Sequence, residues 1–190
     1  KNSDKDKLEY IADGWKGCEI SLPIRSVGAT ETGILSAILA KGTTIIYYPA
    51  IEPEIMHLCE FLNTAGASIV YEEDRDRFVI DGVTGLQETT YKLAADRIVA
   101  GTYMIYTCMC KGHAILVEAP YCELESLIEL LRSFGAFIRS IPEGIEIYMN
   151  KRPYCSGKVE TKYYPGFPTD LQSMAMTLLT TANGVGIITE

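Results

Sequence analysis

Asp170 lies in the run Phe167-Pro168-Thr169-Asp170-Leu171-Gln172, where a helical pattern of apolar residues begins. A carboxylate at a helix start is held by the backbone N–H groups there, so any proton chemistry it carried would work by position rather than by high basicity. A plain N-cap is the other reading of the same spacing. Ser26-Val27-Gly28 is a second candidate, ahead of a helix whose expected cap is Thr30. Free N–H groups there, and a glycine that lets another backbone or a ligand come close, suit a diphosphate or the edge of a uridine, with Arg25 as an adjacent cation. Glu52, Glu54, Asp96 and Arg97 sit at the starts of further helical patterns, where exposed charge at a helix end is the plain reading.

Other chemistries find little support. The six cysteines, Cys18, Cys59, Cys108, Cys110, Cys122 and Cys155, have neither the paired spacing of a zinc site nor the density of a disulfide framework. Cys108 and Cys110 fall in an apolar run and read as small core or near-core residues, and His57 and His113 have no neighbour at ligand spacing. No metal or cofactor site is expected. The net charge of −8 argues against a nucleic-acid partner, which would call for clustered Lys and Arg. No run approaches the roughly 18 apolar residues of a membrane span. The charged stretch Lys1–Lys7 has no apolar core behind it, so it is no signal peptide and a cytoplasmic protein is expected.

The elements that must position these residues come as an internal repeat. Thr30 to Ile46 reads as a helix ending in Lys41-Gly42, followed by a β-branched strand, and Thr102 to Val117 repeats that order with Lys111-Gly112. A second helix follows each strand. Pro53, Ile55, Leu58 and Leu62 with the stop Gly66 mark the first, and Leu124, Leu127 and Leu131 before Gly135 mark the other. Strand pairs come next, 68–71 with 77–81 and 136–140 with 145–149. The unit is therefore β-α-β-α-β-β, in an α/β (α+β) chain. A further copy starts with a helix over 171–181, which Asn183-Gly184 ends before a strand at Gly186, and residues 7–21 look like the tail of an earlier copy. Two complete units with partial units at both ends are expected, as in a shortened chain.

Four segments then carry a resemblance: Ser26-Val27-Gly28-Ala29-Thr30, Glu52-Pro53-Glu54-Ile55, Ala95 to Thr102, and Phe167 to Gln172, with Gly186-Ile187-Ile188-Thr189-Glu190 at the end. In this order and at these intervals they resemble the UDP-N-acetylglucosamine 1-carboxyvinyltransferases, of the enolpyruvyl transferase family, over nearly the whole chain from about Leu8. The resemblance implies an inside-out α/β barrel, with helices inside and sheets outside. It places residues 1–95 in the domain that carries the family's catalytic loop and residues 96–190 in the second domain, the chain crossing near Ala95.

It also implies a reaction. Enolpyruvate passes from phosphoenolpyruvate to the 3-hydroxyl of UDP-N-acetylglucosamine in peptidoglycan synthesis, with Asp170 as the base. Ser26, Val27, Gly28, Arg25 and Thr169 would line the sugar-nucleotide pocket, although Ile24 stands where some members have Lys and Tyr164 where some have His. Glu52, Glu54, Asp96 and Arg97 would face the cleft between the domains. None of the six cysteines occupies the family's proton-donating loop position, so these residues alone are expected to be inactive, because cations must offset the phosphate and carboxylate charge in the transition state. A noncatalytic remnant that binds a sugar nucleotide or a partner protein is the alternative. The sister enzyme acting on shikimate phosphate fits less well, since no Lys and Arg cluster surrounds Ser26 or Asp170. Bare helix faces would favour self-association.

Overall fold

Thr43–Tyr47 alternates in burial, and Ile55 and Leu62 recur at helical spacing, so strand and helix each turn one face to a common core. The computed structural model describes residues 2–4, 7–9, 14–155 and 157–190. Residues 1, 5 and 6 of the charged stretch, and 10–13 of the segment read as an earlier copy's tail, lie outside the described residues. The hairpin of β1 (Asn2–Asp4) and β2 (Lys7–Glu9) is antiparallel. The chain divides into two compact units, residues 1–92 and 93–190.

The first unit contains one full repeat: β3 (Glu19–Ser21), α1 (Val27–Ala37), β4 (Thr43–Tyr47), α2 (Pro53–Thr64), β5 (Ser68–Glu72) and β6 (Arg77–Asp81). The sheet order is β3-β4-β6-β5, with β3 parallel to β4 and the other neighbours antiparallel. Ile46, Phe78 and Ile80 meet Ile34, Ile55 and Leu62 in the core. Each such side chain contributes about 1.5–3 kcal/mol when fully buried. A one-residue slip would turn this apolar set to solvent, which fixes the register Ile46↔Phe78.

The second unit repeats α3 (Arg97–Met109), β7 (His113–Val117), α4 (Glu125–Ser133), β8 (Phe137–Ile141) and β9 (Gly144–Tyr148), with sheet order β7-β9-β8. In both repeats the second helix ends in a left-handed glycine, Gly66 (φ 98) or Gly135 (φ 100). The next amide bonds back across the turn, Ala67 N–H to Leu62 O and Ala136 N–H to Leu131 O, each at 3.0 Å. The two Lys-Gly pairs differ. Gly42 is left-handed (φ 93) because α1 stops at Ala37, whereas α3 runs to Met109 and it is Lys111 (φ 53) that turns.

Among the described residues no strand lies between β6 and α3, so the full β-α-β-α-β-β order appears only in the first unit. The segment that would supply it is drawn onto that first unit. Val83 N–H reaches Ile38 O at 2.8 Å, Gln87 N–H reaches Ala65 O at 2.8 Å, and the Tyr91 hydroxyl donates to Glu60 at 2.8 Å.

The chain closes with β10 (Tyr154–Cys155), β11 (Lys158–Glu160), a 3-10 turn (Thr169–Leu171), α5 (Gln172–Thr181), β12 (Asn183–Gly184) and β13 (Ile187–Thr189). Asn183-Gly184, expected only to stop a helix, pairs in parallel with Tyr154–Cys155, as Ile187–Thr189 does with Lys158–Glu160. Leu171, Ala175 and Leu178 join Met104, Leu127 and Leu131 in the core of this unit.

Candidate functional site

Ser26 has the extended backbone of an N-cap (φ −111, ψ 120), and its hydroxyl accepts from Ala29 N–H at 3.3 Å. The helix thus begins before Thr30, which is not its cap. Thr30 is fully buried instead; its hydroxyl donates to Ser26 O at 2.8 Å and accepts from Ala50 N–H at 2.9 Å. Val27 and Gly28 are the first helical residues and are exposed, with N–H groups that α1 itself cannot satisfy. A Cβ built on Gly28 meets nothing within 4 Å, so packing does not require glycine there.

Arg25, expected as a cation toward the ligand, is engaged inside the unit. It donates to Pro49 O at 2.7 Å and to Asp76 Oδ1 at 3.1 Å, with a second, shorter bond to Asp76 Oδ2. The hydrogen bond it donates to Asp76, and the charge of that carboxylate, raise the Arg25 pKa further, against the effect of burial. Tyr71 donates its hydroxyl to the same carboxylate at 3.1 Å, and burial followed by that bond pushes its pKa up. Asp76 adopts a left-handed backbone (φ 47), and its carbonyl accepts Tyr48 N–H at 3.0 Å. The only sequence signal for this partner was a charged turn, Glu73-Asp74-Arg75-Asp76.

Glu52 precedes α2 without capping it, and its Oε2 is buried with no hydrogen-bond partner among the described residues. Glu54 is exposed in the first turn of α2, where its charge suits the helix dipole. Arg25, Ser26, Val27 and Gly28 thus stand beside the Pro49–Ala50 segment that leads to Glu52.

In the second unit Asp96 is spent as a cap, its Oδ1 accepting from Ile98 N–H at 2.8 Å and Val99 N–H at 2.9 Å. Arg97 is only 4% exposed and lies 5.7 Å from the centroid of the Tyr164 ring. Burial, then the charge of Glu123, pushes the Tyr164 pKa up, with Arg97 acting the other way. Tyr164 opens the loop that leads to Thr169 and Asp170. Both of those are exposed in the 3-10 turn, and the Asp170 carboxylate makes no hydrogen bond or ion pair among the described residues. It is not the cap of α5, because Leu171 stands between. Among the described residues no group of three or more His, Cys, Asp or Glu side chains could hold a metal, and no helix is long and apolar enough to cross a membrane.

Repeats of helices laid on one face of a small sheet define the class: solved enolpyruvyl transferases share this inside-out α/β fold. The enolpyruvyl transferase NikO of Streptomyces tendae superposes with a TM-score of 0.74 at 18% identity, over 94% of this chain and 46% of that one. An EPSP synthase of Acinetobacter baumannii does so with a TM-score of 0.62 at 16% identity, over 92% and 40%. The model of the EPSP synthase (3-phosphoshikimate 1-carboxyvinyltransferase) family matches residues 3–190, and the chain belongs to this enolpyruvyl transferase family. Among curated relatives, UDP-N-acetylglucosamine 1-carboxyvinyltransferase 2 of Caldanaerobacter subterraneus subsp. tengcongensis is 43% identical over 92% of this chain and 42% of its own length. The UDP-N-acetylglucosamine 1-carboxyvinyltransferase of Corynebacterium efficiens is 40% identical over 94% and 42%. The chain spans about two fifths of the length of these relatives.

Proposed function

We propose that these residues belong to an enolpyruvyl transferase that moves enolpyruvate from phosphoenolpyruvate to the 3-hydroxyl of UDP-N-acetylglucosamine, a step of peptidoglycan synthesis in the cytoplasm. The observation that carries the reading is the similarity to enzymes of that name, at 37–43% identity along almost the entire chain. The first unit supplies a wall of the sugar-nucleotide pocket. The amides of Val27 and Gly28 face the solvent end of α1, where an anion gains from both the open N–H groups and the helix dipole. The second unit supplies the base, Asp170, with Thr169 as a hydrogen-bonding neighbour. An exposed carboxylate with no partner can accept a proton without first breaking a bond. Glu52, with an unpartnered buried oxygen, and Glu54 are the charges that the first unit brings to the start of α2, as Asp96 and Arg97 are those of the second unit at the start of α3.

Titration calorimetry with UDP-N-acetylglucosamine, with shikimate 3-phosphate as the comparison, tests this. Heat from the sugar nucleotide alone is expected, reduced when Gly28→Val fills the approach to α1. Binding of shikimate 3-phosphate in preference to the sugar nucleotide would overturn it, and no heat from either would favour a remnant without ligand.

A further inference from the structure

The first turn of α1 is held from outside by a clamp that the proposed chemistry does not use. Arg25 directly precedes the cap residue Ser26, and its guanidinium spans two other segments, bonding Pro49 O between β4 and α2 and both carboxylate oxygens of Asp76 at the β5–β6 turn. Asp76 in turn holds Tyr48 through its carbonyl and accepts the Tyr71 hydroxyl. Thr30, one turn into α1, ties the same loop again through Ala50. Three elements distant in sequence therefore meet at one forked ion pair.

We infer that Arg25 is a positioning residue, which fixes where the Val27 and Gly28 amides stand relative to the 48–52 loop and so sets the affinity for the diphosphate of a nucleotide sugar. The inference rests on the proposed sugar-nucleotide reading of Ser26-Val27-Gly28. Two features separate this from direct ligand contact. The guanidinium's fork is matched to a carboxylate in two-point geometry, the arrangement in which Arg gives most orientation. Its pairing with Asp76 also removes the net charge that an anion would seek. The side chains are about 29% and 28% exposed, so the pair is partly desolvated and not a plain surface contact. Lysine would keep the charge but lose the fork.

The test compares Arg25→Ala, Arg25→Lys, Asp76→Ala and the double variant Arg25→Ala/Asp76→Ala in the full chain. Amide hydrogen exchange at Tyr48 and Ala50 reads the clamp, and calorimetry reads UDP-N-acetylglucosamine affinity. All four variants are expected to exchange about tenfold faster at Tyr48 and Ala50, and to bind about tenfold more weakly, with the double variant no worse than either single one. Unchanged exchange in Arg25→Ala overturns the clamp whatever the affinity. Weaker binding in Arg25→Ala with undiminished binding in Asp76→Ala would make Arg25 a direct ligand contact, which also overturns it. Faster exchange in the variants, with no binding of UDP-N-acetylglucosamine by the parent chain, would keep the clamp, overturn its role in affinity, and refute the sugar-nucleotide reading itself.

Discussion

Replacing Thr30 by Val keeps the side chain's shape and removes one hydroxyl. Thr30 and Ala50 are both 0% exposed. The hydroxyl is the acceptor for Ala50 N–H, and no other acceptor for that amide occurs among the described residues. Its own donation to Ser26 O is less critical, since Thr30 N–H already bonds that carbonyl at 2.9 Å. The loss is therefore dominated by one buried N–H left without a partner, about 2 kcal/mol. Helix propensity offers no offset, because Val and Thr rank together. Two kcal/mol is about a thirtyfold change in the folding equilibrium. Urea unfolding followed by far-UV circular dichroism should show it for the first unit, and amide exchange at Ala50 should accelerate in Thr30→Val but not in Thr30→Ser. Stability within about 0.5 kcal/mol of the parent, with Ala50 exchange unchanged, would refute the reasoning.

Gly101→Ala should destabilise the second unit by about 1 kcal/mol in thermal melts, because the new Cβ would lie 2.8 Å from Leu171 Cδ1 and 2.9 Å from Leu127 Cδ2. Overpacking costs about 1–3 kcal/mol against a helix-propensity gain of about 1; a higher melting point would show that the two leucines yield. Of the six free thiols, exposed Cys18, Cys110 and Cys122 should react with a disulfide reagent at pH 8. Buried Cys59 and Cys108, their pKa values pushed up to about 12 by burial, and buried Cys155 should react only on unfolding. Glu146 is hydrogen-bonded by His113 at 2.9 Å and by Arg139 at 2.5 Å, and these bonds lower its pKa below the ordinary 4.5. Its contribution to stability is thus present above that value and lost as the pH falls through the lower folded one. The stability difference between the parent and Glu146→Gln should shrink below about pH 4, and parallel pH profiles would contradict this.

The features legible in the sequence were those set by local rules. Glycine stops such as Gly66 and Gly135 follow from the need for a left-handed residue after a helix, and the 68–72 and 77–81 pair follows from alternation and a polar turn. Features set by distant partners were not. Nothing beside Arg25 indicates that Asp76, 51 residues away, will capture its guanidinium. Thr30 looked like a cap because hydroxyls often cap helices, but Ser26 competes for that place, and burial against Ala50 decides between them. Strands as short as Tyr154–Cys155 and Asn183–Gly184 have too few residues to alternate, and their parallel pairing joins segments nearly thirty residues apart. The strand missing before α3 follows from hydrogen bonds that the 82–91 segment makes with other parts of the first unit.

Asp96 and Asp170 show how far residue type alone can go. Each is an aspartate at a helix start, and each fits either a cap or a working carboxylate. Position within the turn separates them. Asp96 directly precedes α3, so its Oδ1 reaches two backbone amides. Asp170 lies inside a 3-10 turn with Leu171 before α5, and Leu171, buried at 0% exposure, anchors that turn to the core while the carboxylate stays in solvent. The two should therefore respond oppositely to substitution. Asp96→Ala should cost about 1 kcal/mol of stability, whereas Asp96→Asn, an equally good cap, should cost little. Asp170→Asn should leave stability within about 0.5 kcal/mol, since no hydrogen bond is lost. In a chain that turns over phosphoenolpyruvate it should still lower phosphate release at least a hundredfold, the lower end of what a positioned general base contributes. Phosphate release unaffected by Asp170→Asn would remove Asp170 as the base. A marked loss of stability in the same variant would instead return it to a structural role.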